Sequence, residues 1–203
     1  MTVRVKICGI RDIETARAAV EAGADALGFV FAASRRQVTP EAAREIIAAL
    51  PPFVTAVGVF VDLPPAVVRE VSDFCRLDAV QLHGAETPEY CRELNLRVIK
   101  AVRVRDAASL EGLDAYPVQA VLLDTYVPGT PGGTGKTFNW GLLAGREFRV
   151  PLILAGGLTP ENVRAAVQAV RPYAVDVSGG VETDGRKDPA KIRAFIRQAK
   201  EVV

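Results

Sequence analysis

Hydrophobic residues in this chain fall into short runs, separated by segments in which apolar positions recur at a helical spacing. The runs are rich in β-branched residues and almost continuous rather than alternating, which is typical of strands covered on both faces in a parallel sheet. The eight runs are RVKIC, ADALGFVF, VTAVGVFV, DAVQL, RVIKAVRV, VQAVLLD, VPLILAGG and YAVDVS. We therefore predict eight parallel strands.

Amphipathic helices are predicted between these strands, because apolar positions there recur every three or four residues. The helical segments are DIETARAAVEAG, PEAAREIIAAL, PPAVVREVSDFC, PEYCRELN, DAASLEGLD, PENVRAAVQAV and DPAKIRAFIRQAKEVV. Thr-Pro-Glu occurs at Thr39, Thr87 and Thr159, and threonine suits the N-cap while proline suits the first helical position. We expect helices to begin at these sites, and the last helix to begin at Asp188-Pro189.

Repeated strand–helix units admit two architectures, a closed (β/α)8 barrel and an open doubly wound sheet. An open sheet that binds nucleotides usually carries G-x-G-x-x-G after its first strand, and KICGIRD lacks that pattern. The glycine-rich turns here follow the seventh and eighth strands, where phosphate-binding barrels hold their anion. The chain has 203 residues, or about 25 per unit, which suits short loops. We predict an α/β fold, a (β/α)8 TIM barrel of minimal size, forming a single domain over residues 1–203.

The charge balance and the cysteine count exclude several partners. Lysine and arginine number 25 against 24 acidic residues, a net charge of +1, so no basic excess favours nucleic acid. Charges interrupt every apolar window, so we expect no membrane span. Three cysteines do not make a disulfide framework, and the first residues lack a secretory signal, so a cytoplasmic protein is expected. A single histidine excludes a multi-histidine metal site.

Two glycine turns give the strongest local signal for a ligand. Gly156-Gly157 follows the seventh strand, and Ser178-Gly179-Gly180 follows the eighth. Turns without side chains let backbone N–H groups approach an anion, and Ser178 adds a hydroxyl donor. The alternative is that these glycines only form tight turns. Their occurrence on adjacent strands favours a phosphate site.

The segment GTPGGTGKT resembles a nucleotide P-loop, but its spacing is wrong. A P-loop ending in Gly135-Lys136-Thr137 needs a glycine at position 130, which is Thr130. We interpret the segment as a glycine-rich loop over the site. Either Lys136 or Thr137 adds a contact to the ligand there, or the loop makes none.

Cys8 and Asp124 are the candidates for proton transfer. Cys8 directly follows the first strand, and Asp124 ends the sixth after four apolar residues. In a barrel both would face the mouth, and two proton-transfer groups beside one substrate suit an isomerisation. The alternatives are a small buried thiol and a carboxylate that anchors a loop. We assign the Lys6 side chain to the opposite face of the first strand from Cys8.

Further polar residues follow other strands. Arg36 could bind a carboxylate with two hydrogen bonds, although its neighbour Arg35 is an equal candidate. His83 in QLHGAE is a candidate ligand contact, with a structural hydrogen bond as the alternative. Asp176 precedes Ser178 by two residues and is expected to face the same side, where it orients the phosphate loop or the sugar.

The ordered motifs resemble a known family over nearly the whole chain. They are KICGI, GADALGFVF, the SRR loop, VGVFV, QLHGAE, LLDT, GGTGKTFNW, AGGLTPENV and DVSGGVE. Together they are similar to phosphoribosylanthranilate isomerases of tryptophan biosynthesis. Gly179 stands where a second serine is common in that family, and this change leaves the backbone donors intact.

The resemblance implies an Amadori rearrangement of N-(5-phosphoribosyl)anthranilate without metal or cofactor. It implies that Cys8 is the general base at the sugar C2 and that Asp124 is the general acid at the ring oxygen. It places the anthranilate carboxylate at Arg36. The phosphate would bind Gly156, Gly157, Ser178, Gly179 and Gly180. The family includes monomers and dimers, so a homodimer is left open.

Two rival enzymes and one binding protein remain as alternatives. A histidine-pathway isomerase uses two aspartates and a phosphate motif in each half, and the first half of this chain lacks one. Indole-glycerol-phosphate synthase needs interior lysine and glutamate residues, for which only Lys100, taken as inward, is a counterpart. A non-catalytic phosphometabolite-binding barrel would not need both Cys8 and Asp124.

Overall fold

Eight parallel strands close into a barrel in chain order, as the hydrophobic runs predict. The computed structural model describes residues 2–125 and 137–201. The strands are β1 (Arg4–Cys8), β2 (Ala26–Val30), β3 (Thr55–Phe60), β4 (Ala79–Leu82), β5 (Val98–Val104), β6 (Ala120–Thr125), β7 (Leu152–Leu154) and β8 (Ala174–Val177). Pairing of β8 with β1 completes the barrel.

Helices cover the outside of the barrel. The α-helices are α1 (Ile13–Glu21), α2 (Pro40–Ala48), α3 (Pro65–Cys75), α4 (Pro88–Leu94), α5 (Val163–Val170) and α6 (Pro189–Lys200). Thr39 and Thr87 cap α2 and α4 by accepting a hydrogen bond from a backbone N–H of the first turn, and Asp188 caps α6 in the same way. No helix within residues 2–125 and 137–201 has the length and apolarity needed to cross a membrane.

Two predicted helices differ from the structure. The segment DAASLEGLD forms two short 3-10 turns, Ala107–Leu110 and Leu113–Ala115, because Gly112 between them takes a positive φ of 71° that breaks a continuous helix. The helix expected to follow an N-cap at Thr159 begins three residues later than predicted, at Val163, the first residue of α5. The Asn162 side chain accepts from the Thr159 N–H and donates to the Gly157 carbonyl. These bonds hold a closed turn before the helix.

Strand residues alternate between the barrel interior and the helix layer. The lower interior is filled by small and branched residues, namely Val57, Ala79, Ile99, Ala101, Ala120, Leu122, Ile153, Ala155 and Ala174. Above this layer, polar side chains enter from β1, β4 and β8. Lys100 was expected inside the barrel, and this is wrong. It alternates with the interior residues Ile99 and Ala101, and its ammonium pairs with Glu86 at 2.7 Å beneath the helices.

A short hairpin after β8 completes the upper rim. A 3-10 turn, Gly179–Val181, leads into the antiparallel strands β9 (Glu182–Thr183) and β10 (Arg186–Lys187). This hairpin lies beside the carboxyl ends of β1 and β2, since Glu182 contacts Arg36. The hairpin therefore brings additional charged groups to the barrel mouth.

Candidate active site

A cavity of about 570 Å³ opens at the carboxyl ends of the strands. Its lining includes the predicted site residues Cys8, Arg36, His83, Asp124, Asp176 and Ser178. A smaller hollow adjoins it between β7 and β8, and Asp124, Asp176 and Ser178 line both. The structure thus brings the proton-transfer candidates, the arginine and the glycine turns to one site.

Cys8 is a buried free thiol at the end of β1. Burial raises the pKa of this thiol above its ordinary value, and this effect exceeds the opposing influence of the Lys6 ammonium. The side-chain direction assigned to Lys6 is wrong, because residues i and i+2 of a strand face the same side. Lys6 therefore shares the barrel interior with Cys8.

Lys6 forms a buried ion pair with Asp176. Its Nζ lies 2.9 Å from the Asp176 Oδ1, and the two residues are directly paired in register on β1 and β8. Burial acts to lower the pKa of Lys6, but Asp176 and Cys8 outweigh it, so the pKa is raised and the ammonium stays charged. The sequence predicts that Asp176 orients the phosphate loop or the sugar. In the structure its carboxylate is paired with the Lys6 ammonium.

Asp124 lies beside His83 at the mouth. The Asp124 Oδ2 lies 3.3 Å from the His83 Nε2, and its Oδ1 accepts from the Thr125 N–H at 2.8 Å. The His83 Nδ1 lies 3.1 Å from the Gln81 Nε2. Among the described residues the His83 Nε2 has no aligned hydrogen-bond partner. His83 is thus placed to contact both Asp124 and a ligand, and its ring is held from below by Gln81.

Arg36 points into the cavity, and Glu182 fixes its guanidinium. The Arg36 Nε and Nη2 donate to the two carboxylate oxygens of Glu182 at 2.6 and 2.9 Å. Arg35 also reaches Glu182, at 3.0 Å, but its side chain is 60% exposed against 14% for Arg36. Of the two arginines, Arg36 is the one that lines the cavity.

Glu182 also contacts Lys187 and thereby connects Arg36 to the glycine turns. The Lys187 Nζ lies 2.9 Å from the Glu182 Oε1 and donates to the Ser178 carbonyl at 2.9 Å. Burial acts to raise the pKa of Glu182, but bonds from Arg36 and Lys187 outweigh it and lower the pKa to about 2. This carboxylate is therefore ionised throughout the neutral range.

The glycine turns surround the smaller hollow. Gly156 and Gly157 have φ of 84° and 65°, the left-handed region that favours glycine. A methyl group on Gly156 would lie 2.8 Å from the Asp124 Oδ1, and one on Gly180 would collide with the Leu158 carbonyl. Side chains are thus excluded from both positions. The Ser178 hydroxyl donates to the Cys8 carbonyl at 3.0 Å, which connects these turns to β1.

Lys136, one of the expected ligand contacts, lies outside the described residues. No cluster of three or more histidine, cysteine or acidic side chains suited to a metal ion occurs within residues 2–125 and 137–201.

Three charged residues of the site were missed in the sequence. Glu182 and Lys187 lie on a hairpin whose return to the mouth is a tertiary feature, so no spacing rule places them. Lys6 could have been found, since the two-residue period of a strand puts it on the same face as Cys8.

The chain matches, over residues 5–198, the family model described as N-(5'phosphoribosyl)anthranilate (PRA) isomerase. A relative from Moorella thermoacetica, named N-(5'-phosphoribosyl)anthranilate isomerase, is 64% identical over 204 residues, covering 98% of this chain and 92% of the relative. The crystal structure of phosphoribosyl anthranilate isomerase from Thermotoga maritima superposes with a TM-score of 0.91 at 50% identity and covers 98% of both chains.

Two further structures are similar over 98% of each chain. One, with a TM-score of 0.88 and 47% identity, is a phosphoribosyl anthranilate isomerase in complex with reduced 1-(o-carboxyphenylamino)-1-deoxyribulose 5-phosphate. The other, with a TM-score of 0.87 and 46% identity, consists of monomers generated from the dimeric Thermotoga maritima isomerase. The family model spans nearly the whole chain, and the chain therefore belongs to the N-(5'-phosphoribosyl)anthranilate isomerase family.

Proposed function

We propose that the chain converts N-(5-phosphoribosyl)anthranilate into 1-(o-carboxyphenylamino)-1-deoxyribulose 5-phosphate, the tryptophan-biosynthetic reaction of its family, with Cys8 as general base and Asp124 as general acid. The observation that carries this assignment is their common cavity: a thiol from β1 and a carboxylate from β6 line one space beside two glycine turns. Neither a metal nor a cofactor is needed in this scheme.

The reaction divides into two proton transfers. Asp124 donates a proton to the furanose ring oxygen, the bond between that oxygen and C1 breaks, and the anthranilate nitrogen forms a C=N bond to C1. The resulting iminium acidifies the C2–H, so a base of modest strength suffices. The Cys8 thiolate removes that proton and gives an enolamine, which becomes the ketone by protonation at C1 and loss of the hydroxyl proton.

Arg36 is assigned to the anthranilate carboxylate. Its guanidinium is already held on one edge by Glu182, which leaves the remaining donors for a ligand in the cavity. A planar guanidinium binds a carboxylate with directional hydrogen bonds, and fixing it in advance lowers the entropy lost on binding.

The phosphate is assigned to the two glycine turns, through Gly156, Gly157, Ser178, Gly179 and Gly180. At Gly156 and Gly180 the backbone packs too closely against its neighbours for a side chain. Backbone N–H groups can approach an oxyanion directly at such positions, which supports this placement.

His83 and Asp176 are assigned to the sugar between these ends, and Lys136 to the loop above it. His83 lies beside Asp124, and Asp176 lies beside both Lys6 and the smaller hollow. These positions suit contacts to the ribose hydroxyls.

We also propose that two copies associate, as in the dimeric Thermotoga maritima relative. Phe53, in the segment before β3, is 96% exposed and lies at the end of the barrel opposite the cavity. A second copy that covered this ring would remove its apolar surface from water. We also propose that residues 1–203 form one catalytic domain. The three cysteines are free thiols, as is typical of proteins in the reducing cytoplasm, and we propose that location for this protein.

The test is turnover with N-(5-phosphoribosyl)anthranilate generated in situ, with the rearranged product identified by mass spectrometry. We expect conversion without added metal, also in the presence of a chelator. Binding of a reduced product analogue without any turnover would instead favour a non-catalytic phosphometabolite-binding barrel.

Sedimentation of the wild-type chain and of Phe53→Glu tests the dimer, and equal sedimentation of the two would contradict this interface.

A further inference from the structure

The barrel interior contains a buried cation, the Lys6 ammonium, to which the proposed function assigns no contact with the substrate. Lys6 and Asp176 have side chains only 4% and 9% exposed, and they pair at 2.9 Å. Burying an ion pair gains little stability compared with apolar residues of the same volume, because both charges lose their water. Its position directly below Cys8 points to a role in the chemistry.

The Lys6 ammonium and the Cys8 sulfur converge on one point above Gly28. Cys8 and Gly28 are paired in register on β1 and β2. A methyl group on Gly28 would lie 2.8 Å from the Cys8 Sγ and 3.1 Å from the Lys6 Nζ. The two atoms are therefore separated by less than about 6 Å, the range over which an opposite charge shifts a pKa strongly.

The other charged groups around Cys8 come from separate elements. Asp176 on β8 raises the pKa of the thiol, and Lys187 on β10 lowers it less than Lys6 does. Arg36, in the segment after β2, and Asp124, on β6, line the same cavity. Burial is the dominant influence and raises the pKa, so a base at this position needs a cation that offsets the loss of water.

We propose that Lys6 is a positioning residue for the general base: its ammonium, oriented by Asp176 and facing the sulfur across the space left by Gly28, stabilises the Cys8 thiolate. This inference rests on the proposed role of Cys8. When the thiolate takes the C2 proton it becomes a neutral thiol, while Lys6 keeps its own proton throughout. No other reactant is involved.

The experiment is a pH titration of the thiolate by its ultraviolet absorbance in the substrate-free protein, with the signal of Cys8→Ala subtracted. We expect Lys6→Met to move the Cys8 midpoint upward by about one pH unit or more. The pH dependence of kcat/KM should move in the same direction. An unchanged or lowered midpoint in Lys6→Met would overturn the proposal.

Two further variants keep the test decisive. Lys187→Met also removes a cation that faces Cys8, and its upward shift should be smaller; an equal or larger shift would assign the role to Lys187 instead. If Lys6→Met does not fold, Lys6→Met with Asp176→Asn removes both charges, and its midpoint should still exceed that of the wild type. Because no substrate is present, a protein without turnover but with these shifts contradicts the role of Cys8 as base while leaving its ionisation by Lys6 established.

Discussion

Two lysines in this barrel are buried to the same extent and paired with carboxylates, but they lie on opposite faces of the sheet. Lys6 pairs with Asp176 inside the barrel, with side chains 4% and 9% exposed, whereas Lys100 pairs with Glu86 outside it, at 3% and 1%. We call them the inner pair and the outer pair. The difference shows that burial of a charge does not by itself reveal its role.

The surroundings of the outer pair are structural. Glu86 also accepts hydrogen bonds from the backbone N–H groups of Asp62 and Gly84, and Lys100 donates to the Gly84 carbonyl at 2.8 Å. These bonds satisfy the turn between β4 and α4, just after His83. The inner pair, in contrast, opens towards the thiol and the cavity, so its charges act on a ligand space.

The largest expected effect concerns the two proton-transfer candidates in the cavity to which the inner pair is adjacent. Cys8→Ala and Asp124→Asn should each reduce kcat by about 10²–10⁴-fold, the usual contribution of a general base or acid. Calorimetric binding of a reduced product analogue should be retained in both. A variant with near-normal kcat would remove that residue from the mechanism and weaken the contrast between the two pairs.

Loss of the outer pair should cost stability rather than alter chemistry. Lys100→Met leaves Glu86 as an unpaired buried carboxylate, so the free energy of unfolding should fall by about 3–5 kcal/mol in urea titrations. The pH dependence of kcat/KM should stay as in the wild type. A shifted pH profile in Lys100→Met would show that the outer pair also influences the site.

An intermediate effect is expected at the arginines. Arg36→Met should raise KM by roughly 10–100-fold, as expected for loss of hydrogen bonds to a charged group, while kcat changes less. Arg35→Met is the matched control, because it contacts the same Glu182 from an exposed position. Equal increases in KM would show that the wrong arginine was assigned to the carboxylate.

The smallest effect is the pH dependence of stability that arises from Glu182. Its pKa is lowered from 4.5 to about 2 in the folded protein, so ionised Glu182 stabilises fully above its ordinary pKa and loses this contribution as the pH falls towards 2. The difference in the free energy of unfolding between the wild type and Glu182→Gln should therefore be largest at neutral pH. It should shrink as the pH falls towards 3. A constant difference between the two proteins would contradict this ionisation.

The strand order and the main site residues were accessible from sequence because they depend on local pattern. Continuous apolar runs identify strands, and the carboxyl end of each strand in a barrel faces the mouth, which located Cys8 and Asp124. Lys100 was misplaced, although its neighbours Ile99 and Ala101 alternate with it and face inward. Helix onset at Thr159 was wrong because Asn162 competes for the turn, a side-chain contact that capping patterns do not include.

Other parts of the site depend on residues distant in the chain. Arg36 and Glu182 are separated by most of the sequence, so no spacing rule predicts that the second orients the first. Whether Arg35 or Arg36 enters the cavity depends on that same contact. The ionisation of Cys8 depends in part on Lys187 of the hairpin, and sequence position does not locate that hairpin relative to β1.

Glu182 has a consequence for which molecules the enzyme accepts. The Glu182 carboxylate pairs with Arg36, which is assigned to the carboxylate of the substrate, and with Lys187. Lys187 in turn donates to the Ser178 carbonyl at the proposed phosphate end. Glu182 therefore links the two proposed ends of the binding site through its ion pairs. On these assignments, a substrate shorter or longer than a phosphoribosyl group joined to a benzoate would engage only one end, so the hairpin would add to the selection by length.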